Sequence, residues 1–135
     1  MRATAVWAAV DPRTGRPCPL GAQFHRRYGA SAGGRTVSAR LSHPRPPTRP
    51  AAARPWPLRA TDFDASGHVN NTVHWAAVQD AAAGLGWQPS AAAIEYPRPI
   101  LPGQEPRLVL RQTADEAWAR LVNGGQPLAS ARLAR

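Results

Sequence analysis

The polar residues that could do chemistry are concentrated at positions 62–71 of the 135-residue chain, in the run DFDASGHVNN. Two carboxylates, one imidazole and two amides occur together here. If a helix begins directly after them, its free backbone amides and its dipole favour negative charge. Such amides can polarise a carbonyl or hold an oxyanion, and a carboxylate beside them can act as a base or a nucleophile. The same residues also suit an Asx-rich turn that only caps a helix.

The pattern after this run predicts the elements that position it. Residues 72–83 contain no Gly or Pro and space their apolar side chains as an amphipathic helix does, with Asn70 or Asn71 as the N-cap. A strand is predicted before the run, at Trp56–Phe63, and four more after the helix. Those four are Ala91–Ile100, Arg107–Thr113, Glu116–Val122 and Pro127–Ala134. A helix followed by antiparallel strands indicates an α+β domain.

The first part of the chain is patterned less clearly. We predict a short strand at Ala3–Val10, a short helix within 20–30 that carries Phe24 and Tyr28, and a strand at Thr36–Leu41. Six prolines between positions 43 and 57 indicate an extended linker.

Charge is distributed unevenly along the chain. Residues 1–55 hold 10 Arg and one acid, whereas 56–135 hold 7 Arg and 7 acids, so the net charge of +9 lies in the first two fifths. A basic segment favours an anionic partner or is simply a solvated surface. No nucleic-acid recognition motif accompanies it, so we expect no nucleic-acid partner.

Composition excludes several classes of protein. A single Cys cannot form an internal disulfide, and no Cys/His cluster has metal-ligand spacing, so we expect no metal site. No apolar run reaches the roughly 20 residues of a membrane span, so we expect no membrane partner. Nothing marks the chain as secreted, and we expect a cytoplasmic protein.

One family signature matches the polar run. The segment from Arg59 to Trp75, RATDFDASGHVNNTVHW, resembles the signature of acyl–acyl carrier protein (acyl-ACP) thioesterases, Asp-x-Asp-x-x-Gly/Gln-His-Val-Asn-Asn followed by a helix with aromatic residues. Ile94-Glu95-Tyr96 and Leu101-Pro102-Gly103 match in register further along. Thr4–Pro17 resembles the closing strand of the first hot-dog in members that have two. The resemblance covers nearly the whole chain and corresponds to the back half of such a member.

The resemblance implies a hot-dog fold, an antiparallel sheet wrapped around one long helix, in agreement with the pattern above. It implies three regions: residues 1–42 as a remnant of a first hot-dog, 43–55 as a linker, and 56–135 as the hot-dog domain. One sheet around one helix leaves an exposed edge, and single-hot-dog proteins resemble one another in pairing as dimers. We therefore expect a homodimer through 56–135.

The resemblance also implies a reaction, the hydrolysis of an acyl thioester to a free fatty acid without a cofactor. By position, Asp64 is the catalytic carboxylate and His68 orients the attacking water. Ser66 stands where plant members carry Asn, and it can still hydrogen-bond a water. Pro99 stands where those members carry a second acid.

The remaining positions of the signature are assigned to substrate binding. Backbone amides near Gly67 and Val69 are expected to hold the thioester oxygen, and Asn70 and Asn71 to shape the turn and cap the helix. The acidic acyl carrier protein would be the partner of the basic segment. Two alternatives stay open: an acyl-CoA thioesterase of the hot-dog type, and a non-catalytic hot-dog that binds acyl groups or completes another subunit.

Overall fold

The computed structural model describes residues 4–6, 8–34, 38, 40–44 and 52–135. The chain divides into two compact units, Met1–Arg40 and Leu41–Arg135. The polar run 62–71 and the elements around it therefore belong entirely to the second unit.

Among the described residues of the first unit, helix α1 spans Ala22–Ala32, which confirms the helix predicted within 20–30. It ends where Gly33 adopts a φ of 56°, the left-handed conformation that glycine allows at a helix C-terminus. None of the helix residues is buried. Phe24 and Tyr28, one helical turn apart, place their ring centroids 4.8 Å from each other on the exposed surface.

The second unit is a five-stranded sheet with one long helix, which confirms the α+β hot-dog prediction. The helix α2 spans Asn71–Gly84. The strands are β1 Ala53–Pro55, β2 Ala91–Glu95, β3 Arg107–Gln112, β4 Glu116–Asn123 and β5 Gln126–Ala134. They lie in the order β1-β3-β4-β5-β2, and every neighbouring pair is antiparallel. The β4–β5 hairpin turns at Gly124 and Gly125, whose φ angles of 54° and 80° explain the glycines there.

The core lies between α2 and one face of the sheet. The helix buries short side chains, Ala77, Val78, Ala81 and Ala82, in the same cluster as the inner sheet residues. On the sheet, alternate residues point inward because strand side chains alternate between faces. Ala119 on β4 lies in register with Ala131 on β5, and both are almost fully buried.

The outer face of the sheet carries polar residues in register. Arg120 on β4 pairs with Ser130 on β5, and Ser130 pairs with Glu95 on β2. Arg120 and Ser130 are each only 4% exposed. The Arg120 guanidinium donates to the Ser130 hydroxyl and to the Pro44 carbonyl, and it lies over the Trp118 ring, so the buried charge is satisfied.

The strand predicted at Trp56–Phe63 does not form. Strand β1 instead ends at Pro55, and Ala60–Asp62 form one turn of 3-10 helix. The Trp56 amide still donates to the Pro106 carbonyl at 2.9 Å, and Pro57 then provides no amide to continue the ladder. The side chain of Asp62 also accepts a hydrogen bond from the Arg59 amide, which favours a turn over an extended strand.

Strand β1 lies inside the segment predicted as a linker, because Ala53–Pro55 pair with β3. Of the predicted strand Ala3–Val10, residues 3 and 7 lie outside the described residues. Among the others, Val10 forms an isolated bridge with Pro17. Of the predicted strand Thr36–Leu41, residues 36, 37 and 39 lie outside the described residues, and residues 38, 40 and 41 are not in a strand.

Candidate active site

A tight loop connects the 3-10 helix to α2. A bridge joins Phe63 to Val69 across it, and the Asp64 amide donates to the His68 carbonyl at 2.8 Å. The Gly67 amide donates to the Asp64 carbonyl at 3.0 Å, and Gly67 has a φ of 76°. A side chain at position 67 would be strained, so the loop requires glycine there.

Asp64, Ser66 and His68 meet inside this loop. One carboxylate oxygen of Asp64 accepts from the Ser66 amide at 2.8 Å, from the Ser66 hydroxyl, and from the His68 amide at 3.3 Å. The Ser66 hydroxyl is the largest cause that lowers the pKa of Asp64 below its ordinary value. Burial opposes this, but the backbone amides of Ser66 and His68 and the imidazole also lower the pKa, so the net shift is downward. Asp64 is therefore ionised at neutral pH.

The carboxylate is held by loop amides rather than by the first turn of the helix. The Thr72 amide, which belongs to that first turn, donates to the Asn70 side chain at 2.9 Å, so Asn70 is the N-cap as predicted. Asp64, Ser66 and His68 are all exposed in the single chain. The Asp64 carboxylate is thus accessible at the N-terminal end of α2.

All three backbone amides of 67–69, where the sequence placed the binding of the substrate oxygen, already have partners within the loop and core. The Val69 amide donates to the Ile100 carbonyl at 3.0 Å, and Val69 is buried. The Asn70 amide donates to the Asp62 carbonyl at 2.8 Å. The Asn71 amide is the first-turn amide without a hydrogen-bond partner among the residues that the structure describes. Asn71 itself is exposed and follows the loop directly.

An aromatic cluster supports the loop from the helix side. His74 is buried, its Nδ1 lies 3.2 Å from the Asn70 carbonyl, and its ring packs edge-on against Tyr96 at 5.0 Å. Burial lowers the pKa of His74 although the Asn70 carbonyl raises it, so the imidazole is neutral at pH 7 and Nδ1 donates. Burial raises the pKa of Tyr96, and the Trp75 side chain opposes that rise.

A cavity of about 650 Å³ opens beside the loop, and the sequence did not predict it. The segment 54–59 forms one wall, and the first turns of α2 form the other. Asp62, only 4% exposed, also lines it. The sequence placed Asp62 in the polar run but contains no local signal that separates this buried carboxylate from the exposed Asp64.

Glu95, part of the sequence resemblance, has a structural role, because its hydrogen bonds among the described residues go to Ser42 and His43. Its carboxylate accepts from the Ser42 amide at 2.7 Å and from the His43 amide at 3.0 Å. Partial burial raises the pKa of Glu95, but these hydrogen bonds outweigh it and hold the pKa below its ordinary value. Glu95 thereby attaches residues 42–43 to the sheet.

The described part of the chain was compared with what a metal site and a membrane-spanning helix require. No group of three or more His, Cys, Asp or Glu there has the arrangement of a metal site. No helix there is long and apolar enough to cross a membrane.

Comparison with known proteins finds two relatives by sequence. No protein-family model matches the chain. Two uncharacterized proteins from strains of Mycobacterium tuberculosis are 31% identical over 135 residues, which covers 96% of this chain and 52% of theirs. The chain thus spans about half the length of the curated relatives it matches.

Solved structures with the same fold include a 12:0-ACP thioesterase from Umbellularia californica. The TM-score is 0.69 with 16% identity, over 93% of this chain and 52% of that one. A thioesterase from Thermus thermophilus, solved with coenzyme A and zinc, matches 60% of this chain and 78% of its own at a TM-score of 0.52 and 21% identity. The chain therefore has the hot-dog fold of these thioesterases, and its structural similarity to an acyl-ACP thioesterase extends over nearly its whole length.

Proposed function

We propose that this protein hydrolyses acyl thioesters, with the Asp64 carboxylate as the reacting group. The observation that carries the proposal is the loop itself, in which Ser66 and His68 hold one carboxylate oxygen of Asp64 through three hydrogen bonds. These bonds also keep Asp64 ionised at neutral pH, because they lower its pKa. A fixed, ionised and accessible carboxylate is what general base catalysis requires.

In the proposed reaction a water attacks the carbonyl carbon of the thioester. Its proton passes to the second oxygen of Asp64, while the His68 imidazole orients the water. The carbon–sulfur bond then breaks, and the leaving sulfur takes the proton from Asp64, so the products are a free acid and a free thiol. Ser66 is a positioning residue, because it acts by holding the carboxylate.

The thioester carbonyl oxygen needs a hydrogen-bond donor as negative charge develops on it. The Asn71 amide is suited to this role because it has no partner among the described residues and opens the helix. Asn70 contributes by fixing the helix start, Gly67 by allowing the loop conformation, and Val69 by anchoring the loop in the core.

We further propose acyl-ACP as the substrate and fatty acid release as the outcome. The structural similarity to an acyl-ACP thioesterase over 93% of the chain supports this choice. The excess of arginine supports it as well, because an acidic carrier protein is attracted to a positive surface. Acyl-CoA is the competing carrier.

The proposed assembly is a homodimer through the second unit. Strand β2 lies at one edge of the sheet, and its residues 91–93 are exposed alanines without charged side chains to block pairing. A second copy at this edge would cover the sheet edge and complete the surroundings of an otherwise open site.

The experiment that tests this function is hydrolysis by the purified chain, followed as release of free thiol. Acyl-ACP and acyl-CoA with the same acyl group are compared side by side. We expect turnover of both with a higher kcat/KM for acyl-ACP. A preference for acyl-CoA would assign the acyl-CoA alternative, and no turnover of either would leave a non-catalytic acyl-binding protein.

A further inference from the structure

The buried face of helix α2 contains one polar side chain, that of His74. Among the residues of α2, all of which the structure describes, the other buried side chains are alanines and one valine. His74 is only 3% exposed. Burying a polar ring costs free energy unless its nitrogens find hydrogen-bond partners. The proposed reaction does not use this imidazole, so its partner inside the fold bears on its role.

The partner of the imidazole is the backbone carbonyl of Asn70. Nδ1 of His74 lies 3.2 Å from this oxygen, which also accepts from the Val73 amide at 3.0 Å. Burial lowers the pKa of His74, so only one ring nitrogen carries a proton at pH 7. Because a carbonyl oxygen only accepts, that nitrogen is Nδ1. The two donors use both lone pairs of the Asn70 carbonyl.

The same peptide group carries the amide proposed to bind the thioester oxygen. The carbonyl of Asn70 and the N–H of Asn71 belong to one planar unit, and a trans peptide points them in opposite directions. No peptide bond of the described residues is cis. The carbonyl faces the donors of Val73 and His74, so the Asn71 N–H points out of the helix start. That N–H has no partner among the described residues.

A hydrogen bond at one end of a peptide group changes the other end. A carbonyl that accepts a hydrogen bond draws electron density from the amide nitrogen, and chains of hydrogen bonds strengthen one another by perhaps 10–30% per bond. Because the peptide group is planar, holding its carbonyl also fixes the direction of its N–H. The His74 imidazole therefore both orients and polarises the Asn71 N–H.

We propose that His74 is a positioning residue for thioester hydrolysis, because its Nδ1–H holds the peptide whose N–H, that of Asn71, binds the thioester oxygen. The inference rests on the proposed function. Tyr96 packs edge-on against the imidazole at 5.0 Å and keeps the ring in place. His74 keeps its proton throughout the reaction. The Asn71 N–H matters most when negative charge develops on the oxygen, so His74 should affect kcat rather than KM.

Two substitutions of His74 separate its hydrogen bond from its packing. His74→Phe keeps an aromatic ring beside Tyr96 but has no N–H. His74→Asn loses the ring but keeps an N–H close to the position of Nδ1. If His74 only packs, phenylalanine is the milder change, whereas the proposed role makes asparagine the milder one. Val78→Ala is the control for lost packing, because Val78 lies one turn further along the same buried face.

The first measurement is kcat and KM for acyl-ACP and acyl-CoA. In His74→Phe we expect kcat to fall about three- to tenfold with KM nearly unchanged, less than the roughly 10²–10³-fold cost of losing an oxyanion donor, because the Asn71 N–H remains. His74→Asn should stay within about twofold of the wild type. Val78→Ala should unfold at a lower urea concentration and keep the wild-type kcat.

The second measurement needs no turnover. Nitrogen-15 nuclear magnetic resonance of the wild type identifies which ring nitrogen of His74 carries the proton, and we expect Nδ1. The amide signal of Asn71 should move in His74→Phe, return towards its wild-type position in His74→Asn, and stay in place in Val78→Ala. The ring measurement uses the wild type, so it does not depend on how well a variant folds.

A proton on Nε2 instead of Nδ1 would overturn the inference, and so would a higher kcat in His74→Phe than in His74→Asn, which would assign His74 to packing. If the wild type hydrolyses acyl thioesters and neither substitution of His74 changes kcat, the proposed function holds and this role is wrong. If the wild type hydrolyses no thioester, the proposed function fails and this role fails with it, even with the proton on Nδ1.

Discussion

At the scale of single residues, the loop sets the properties of one carboxylate. Asp64 accepts three hydrogen bonds on a single oxygen, which leaves its other oxygen available to a water. Because the pKa of Asp64 is lowered in the folded chain, its ionised form stabilises the fold above its ordinary pKa of about 3.9. That contribution is lost as the pH falls through the lowered folded value.

Ser66→Ala tests this account of Asp64. The substitution removes the hydroxyl that is the largest cause of the lowered pKa, so the pKa of Asp64 should rise towards its ordinary value. Titration of the Asp64 carboxyl carbon by nuclear magnetic resonance measures it. Ser90→Ala, an exposed serine before β2, is the control and should leave it unchanged. An equal pKa in wild type and Ser66→Ala would show that the hydroxyl does not act on the carboxylate.

At the scale of elements, the sequence predicted the helix and the strands that local residue patterns specify. Helix α2 and strands β3, β4 and β5 agree with their predictions to within one or two residues, because apolar spacing and the Asn-Gly turn specify them locally. The strand predicted at 56–63 was wrong, because Pro57 interrupts the ladder and the Asp62 side chain stabilises a turn. The cavity against α2 could not be predicted, since it depends on how segment 54–59 packs in three dimensions.

Asn70→Ala tests how the helix start is fixed. The Asn70 side chain accepts from both the amide and the hydroxyl of Thr72, so its removal should lower the free energy of unfolding by about 1 kcal/mol. Urea unfolding followed by circular dichroism measures this difference. Gln79→Ala, exposed in the middle of α2, should change stability by less than half as much. Equal losses in the two variants would remove the capping role.

At the scale of the whole molecule, the exposed loop and the edge strand β2 both support the proposed homodimer. The loop with Asp64 is open to solvent in the single chain, whereas electrostatic interactions around reacting groups are stronger in an enclosed site. The chain spans about half the length of its curated relatives. The proposed homodimer would pair two copies through the exposed edge strand β2.

Sedimentation equilibrium tests the proposed homodimer. At micromolar concentration we expect a mass of twice 14.5 kDa. Ala93→Glu puts a charge on the exposed edge strand β2 and should shift the protein towards the monomer. Ala114→Glu, in an exposed turn, is the control that should remain dimeric. A monomeric wild type would contradict pairing through the second unit.

The most direct test of the central claim is the kcat/KM of Asp64→Asn for acyl-thioester hydrolysis. Asparagine keeps the shape of the side chain and its hydrogen bonds from the loop amides but cannot accept the proton. We expect kcat/KM to fall by about 100-fold or more, with folding unchanged, because general base catalysis commonly contributes 10²–10⁴-fold. Asp115→Asn, at an exposed carboxylate in the turn before β4, should retain wild-type activity. Activity of Asp64→Asn within a few-fold of the wild type would contradict the claim and place the reaction elsewhere.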